Sequence, residues 1–139
     1  MKTLQDRPVL RPARPTTLRY LVTRPAPEYP PDARLPFERN VYTVYARVTL
    51  VRPESDGDLH VVLDDGVREM IAEAPMGACT VGATPARRRE MAVARSHVRV
   101  CARARVTGVA FFDYYHGQAG VAPNAIELHP ILAFRCLVP

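Results

Sequence analysis

Between Val41 and Val138 the chain alternates apolar and polar residues in five separate runs, interrupted by one stretch of helical period. In Val41–Val51 (VYTVYARVTLV), Tyr42, Val44, Ala46, Val48 and Leu50 share one face, and Thr43, Tyr45, Arg47 and Thr49 share the other. A period of two, rich in β-branched and aromatic residues, predicts a half-buried strand. The turn PESDGD follows. Leu59–Leu63 is the second strand, with Leu59, Val61 and Leu63 inward and His60 outward. Asp65-Gly66 is a hairpin signal, and Val67–Ala74 is the returning strand, closed by Pro75. Thr84-Pro85 is a helix start, threonine as N-cap and proline at the first helical position. Ala86, Met91, Ala94 and Val98 make its apolar stripe, and Arg87, Arg88, Arg89 and Arg95 its opposite face. Val100–Phe112 alternates again, and Gly108 inside it predicts a bulge or bend. Ala125–Val138 is the last strand, with Glu127, His129 and Arg135 outward. The order strand, strand, strand, helix, strand, strand predicts a mainly β protein. It matches an OB-like five-stranded Greek-key barrel with one helix between strands three and four. A different small barrel or an α+β sandwich shares that element order.

Eight of the 14 prolines fall within residues 1–38. Proline fixes φ and removes a backbone donor, so no long helix or central strand fits there. Residues 1–39 therefore read as a Pro/Arg-rich arm and residues 40–139 as the barrel domain. Thr17–Thr23 (TLRYLVT) is the arm's one apolar stretch, fit for a short strand or for packing on the body. The net charge is +5, from 19 basic and 14 acidic residues. The arm holds eight cations against four acids, +4, and the body 11 arginines against 10 acids, +1. A basic arm supplies sequence-independent phosphate contacts. No apolar run approaches the roughly 18 residues of a membrane span, and the first residues lack the apolar core of a secretory signal. The expectation is a cytoplasmic chain without a membrane partner. Cys79, Cys101 and Cys136 read as small, half-buried thiols.

The stretches DLHVVL, MIAEAP and RVTGVAFFDYYHGQAGVAPNAIELHPIL resemble a group of small, largely uncharacterised bacterial proteins whose shared stretch ends in a similar HGQ-G-APN-IELHP segment. The resemblance covers roughly residues 45–133. It implies an OB-like barrel and no particular activity. A weaker resemblance is to the staphylococcal nuclease family, also an OB barrel. It rests on Asp56-Gly57-Asp58 entering a hairpin, Arg68 on the returning strand and Glu73-Ala74-Pro75. That resemblance implies Asp58 and Glu73 as ligands of a divalent cation and Arg68 as a phosphate clamp. Met76 stands where that family has its general-base glutamate, so the likeness is one of architecture more than of catalysis.

Three function classes follow. The leading one is non-catalytic binding of single-stranded DNA or RNA, with no cofactor. Arginines supply the positive groove and aromatic rings the stacking platform. Its candidate residues are Tyr45, Arg47, Arg103, Arg105, Tyr114, Tyr115 and His116. The Arg87–Arg89 run at the start of a helix opposes the macrodipole and hints at an anionic partner. The second is a divalent-metal phosphodiesterase using Asp58, Arg68 and Glu73. The third is a protein-interaction module whose arm docks a protein partner. A further metal candidate is Asp113, His116, Glu127 and His129, which barrel closure can bring to one end. The twelve-residue loop DYYHGQAGVAPN at 113–124 reads as a binding loop.

Overall fold

The computed structural model describes residues 1–28, 32–115 and 117–139. Its barrel strands are β2 (Val41–Pro53), β3 (Leu59–Asp64), β4 (Glu69–Ala74), β5 (Cys101–Phe112) and β6 (Ile126–Val138). They pair in the order β2-β3-β4-β6-β5, and β2 pairs with β5 to close the barrel. β4–β6 is parallel and the other four barrel pairings are antiparallel. The helix α2 (Pro85–His97) connects β4 to β5. This is the OB-fold.

The sequence pattern explains each piece. Tyr42, Val44, Ala46 and Val48 alternate into the barrel and meet Val61, Leu63, Met70, Ala72, Ala104 and Val106. The DG turn closes β3 on β4, with the Asp65 carboxylate accepting from the amides of Val67 and Arg68 at 3.0 and 2.8 Å. Thr84 caps α2, its hydroxyl accepting from the Arg87 amide at 3.4 Å. Gly108 sits at the expected irregularity, where the β5–β6 register shifts on either side of it. A Cβ there would lie 2.9 Å from Leu128 Cβ and from the Pro130 carbonyl oxygen, so glycine lets the two strands approach. Arg95 departs from its expected outward face. Its guanidinium reaches back to the carbonyls of Ala74 at 2.6 Å and Gly57 at 2.9 Å.

The arm folds onto the barrel. Two residues, β1 (Arg14–Pro15), pair in parallel with Tyr42 and Thr43 of β2. Thr17–Thr23 gives a helix, α1 (Leu18–Val22), rather than a strand. Leu18, Leu21 and Val22 enter the main core, and Asn124 donates to the carbonyls of Leu21 and Arg24 at 2.9 and 3.0 Å. Five of the eight arm cations hold the arm in place. Arg11 and Arg14 bond the Asn40 side chain, and Arg7 bonds the Gly82 carbonyl. Arg34 bonds Asp6, and Lys2 bonds Asp113. The arm's basicity is thus largely committed to its own scaffold.

The cysteines correct a further expectation. Cys101 and Cys136 form a disulfide, leaving Cys79 free. The two residues lie on adjacent antiparallel strands, an arrangement that spacing along the chain does not announce. Among the described residues no helix is long and apolar enough to cross a membrane.

Because Leu21 is fully buried in the barrel core, Leu21→Ala is expected to destabilise the whole domain by about 2–5 kcal/mol. Denaturant unfolding followed at a barrel tyrosine reads this. An unchanged midpoint would mean that α1 is dispensable to the barrel.

Candidate functional site

The outer surface of the barrel has two contrasting faces. On one, residues directly opposite across β2, β5 and β6 form rows. Tyr45 pairs with Arg105, and Arg105 with Arg135. Thr43 pairs with Thr107, their hydroxyls 2.8 Å apart, and Thr107 with Ala133. Arg47 and Arg103 flank the first row. All four arginines are exposed, and Tyr45 is 49% exposed. The Arg103 guanidinium lies 5.9 Å from the Tyr45 ring centre. Arg47 stands 3.9 Å from Asp64. Among the described residues no carboxylate pairs with Arg103, Arg105 or Arg135. Like charges directly opposite on a sheet repel, so this face gains from an anionic partner. Farther along the same strands, Val41, Val109 and Leu132 are covered by Leu4 of the arm and Met91 of α2. Beside Ala133, an open groove of about 480 Å³ runs between β6 and α2, lined also by Arg89 and His97.

The other face belongs to β3, β4 and the start of β6. His60 and His129 point out of the barrel as expected, yet they are 0% and 1% exposed. The reason is a cover supplied by distant sequence. Residues 117–122 fold back over β3, where Gly120 packs so closely that a Cβ would meet Val62 at 2.7 Å. The Ala119 carbonyl oxygen lies 2.8 Å from His60 Nε2. Lys2 closes the other side, 3.8 Å from Glu127. The expected binding loop is thus packed on its own barrel in this part.

Beneath the cover lies a cluster of imidazoles and carboxylates. His129 Nδ1 is 3.1 Å from Glu127 Oε1 and 3.0 Å from Glu73 Oε2. His129 Nε2 is 3.6 Å from Asp58 Oδ2. His60 Nδ1 is 3.5 Å from Glu54 Oε1 and 3.8 Å from Glu73 Oε1. Burial alone would lower the His129 imidazole, but Glu127 and Glu73 outweigh it and push it up to about 9. Burial would raise Glu73, but His129 and His60 hold it well below the usual carboxylate range. At neutral pH the centre of the cluster is therefore an imidazolium beside the Glu73 carboxylate, while burial pushes the Glu127 and Asp58 carboxyls up.

The sequence-predicted residues divide between these places. Tyr45, Arg47, Arg103 and Arg105 share one face. Tyr114 and Tyr115 are exposed, but they follow the far end of β5, roughly 20 Å of strand beyond Arg105. His116 lies outside the described residues. Asp58 and Glu73 meet around His129, while Arg68 does not join them. It sits at the hairpin, 3.7 Å from Asp65. Glu127 and His129 touch, and Asp113 reaches them through Lys2. Three participants were missed. Arg135 had a readable signal, its outward place in the alternation. Glu54 and Lys2 had none, because their neighbours come from other segments.

No known protein family and no curated protein matches the chain. Solved structures do. One is a replication protein A heterotrimer bound to ssDNA, with TM-score 0.56 and 16% identity, covering 93% of this chain and 84% of that one. Another is a Leishmania major Friedlin protein assigned as an aspartyl-tRNA synthetase, with TM-score 0.54 and 14% identity, covering 92% of this chain. A third is the aspartyl-tRNA synthetase of Entamoeba histolytica, with TM-score 0.50 and 13% identity, covering 70%. This chain spans 21% and 18% of the two synthetases' lengths. At these identities the likeness is one of fold.

The His129 shift has a stability consequence. Its folded value lies above the ordinary 6.5, so its contribution is complete below about pH 6.5 and is lost as pH rises through about 9. The wild-type melting temperature is expected to fall across that window, and His129→Gln to flatten the fall. Thermal melts over the range check this, and a wild-type Tm that rises there contradicts it.

Proposed function

We propose that this domain binds single-stranded nucleic acid on the exposed face of β2, β5 and β6. The observation that carries the reading is the Tyr45–Arg105–Arg135 row with Arg47 and Arg103 beside it. Four guanidiniums on one face meet a phosphate backbone through charge-assisted, bidentate contacts. The Tyr45 ring offers a base a stacking surface, and Arg103 beside it adds a cationic edge. Thr43 and Thr107 add hydroxyls next to the row. The groove lined by Arg89 and Glu90 continues the open surface toward α2. Single strands fit better than duplex, because stacking on a side chain needs a base free of its partner. Binding of this kind uses no cofactor, and DNA and RNA share its chemistry. The OB-fold likeness to a protein solved with ssDNA supports the reading at the level of fold.

The reading departs from the commonest OB usage, in which strands two and three carry the ligand. Here their outer face is covered by the chain itself and lined with carboxylates. The arm is a lesser contributor than its charge suggests, since most of its cations are already engaged.

Fluorescence anisotropy of a labelled mixed-sequence single strand tests this with the full chain. Four phosphate contacts predict a salt slope near −3, roughly 50-fold weaker binding at about 200 mM than at about 50 mM salt. Arg105→Ala with Arg135→Ala is expected to lower the slope by about 1.4. Tyr45→Ala is expected to lose about 1–3 kcal/mol of binding. An absence of binding by the full chain overturns the reading and leaves a protein partner as the ligand of this face. A salt slope unchanged in the double variant moves the contact elsewhere.

A further inference from the structure

We propose that Glu54, His60 and Glu73 form a site for one divalent transition-metal ion, a reading independent of the nucleic-acid face. His60 stands on β3, Glu73 directly across from it on β4, and Glu54 in the turn after β2. The His60 ring is wholly buried. Its Nε2 meets the Ala119 carbonyl oxygen at 2.8 Å. A carbonyl only accepts, so Nε2 carries a proton, and in the neutral ring Nδ1 presents a lone pair. That Nδ1 is buried and has no hydrogen-bond partner among the described residues. It faces Glu54 Oε1 at 3.5 Å and Glu73 Oε1 at 3.8 Å, and the three groups offer atoms within 4.8 Å of one another.

Three acceptors converging on one buried point require a positive charge between them. The neighbouring carboxylates favour a proton on the His60 ring, but a proton on Nδ1 fits the geometry loosely, because 3.5 and 3.8 Å are beyond good hydrogen-bond reach of either oxygen. An ion fits better. Bonds of about 2.0–2.2 Å to a tetrahedral Zn²⁺ place its ligand atoms about 3.3–3.6 Å apart. The second contacts of each ligand also suit this. A ligating histidine characteristically donates its other ring N–H to a backbone carbonyl or carboxylate, as His60 does to Ala119. The Gln118 amide donates to both Glu54 oxygens at 3.3 and 3.2 Å, and Arg52 approaches one of them at 3.4 Å. The second Glu73 oxygen is held by His129. The Glu54 side chain is 20% exposed and gives the ion an entry path. One imidazole with two carboxylates suits Zn²⁺, Mn²⁺ or Fe²⁺ better than Mg²⁺ or Ca²⁺, which favour oxygen-only shells of six or more ligands. So placed, the ion clasps the turn after β2, the β3–β4 pair and the loop near Ala119.

Calorimetric titration of the EDTA-treated full chain with Zn²⁺ at about pH 7 tests the site. One saturating equivalent is expected, with a rise in Tm as Zn²⁺ is added. Glu54→Gln and His60→Gln are each expected to weaken binding roughly 100-fold, while Cys79→Ser leaves it unchanged. Should His60→Gln fail to fold, Glu54→Gln decides, since its side chain lies at the edge of the cluster. No saturable binding overturns the proposal. So does a loss of less than about tenfold in Glu54→Gln, which would place the ion at another site.

Discussion

Closure of the barrel on β2 is the constraint from which the rest follows. That strand has 13 residues and serves two partners in succession. Val41–Val48 pair with β5 and Arg47–Pro53 with β3, and the register shifts where the partners change. A closed sheet has no free edge to template aggregation, but its interior is narrow. Ala46, Ala72, Ala74, Ala104 and Ala110 fill it beside larger side chains, and Leu18 and Leu21 of the arm complete it. With the interior full, every polar or charged group of the strands must work on the outer surface. What covers that surface then decides its chemistry.

Local physics made much of this legible in the sequence. The five strands, the DG turn, the Thr84-Pro85 helix start and the Gly108 irregularity each depend on residues within a few positions of one another. Tyr45, Arg47, Arg103 and Arg105 were readable for the same reason, since alternation alone sets their side of the strand. The failures share another cause. His60 and His129 were rightly placed outside the barrel, but their burial was not legible, because their cover comes from Lys2 and residues 117–122. The Cys101–Cys136 bond joins neighbouring strands 35 residues apart in sequence. Thr17–Thr23, read as a short strand or a segment packed on the body, does pack on the body, but as a helix, because Thr17 accepts from the Tyr20 amide and Leu18 and Leu21 have a core to enter. The covered histidines and the disulfide rest on long-range contact, which a period cannot encode.

Net charge misled in the same way. A body of +1 reads as electrostatically bland, but it is a sum over two segregated populations. Glu54, Asp58, Glu73, Asp113 and Glu127 gather on the β3–β4–β6 side, while Arg47, Arg103, Arg105 and Arg135 lie exposed on β2, β5 and β6. The arm inverts the lesson. Its +4 invites a phosphate-binding role, yet five of its cations bind the chain's own carboxylates, amides and carbonyls. Charge counted along a sequence informs about partners only after the self-paired groups are removed.

The two faces also interact less than their opposite signs suggest. The acidic cluster holds counter-charges of its own, an imidazolium at His129 and an ammonium at Lys2, which offset part of its charge. Burying the carboxylates beneath residues 117–122 thus does two things at once. It removes the usual OB ligand face from competition, and it leaves the arginine face as the surface an anion meets first. On this barrel, the face left open to a partner follows from which outer face the chain keeps for itself.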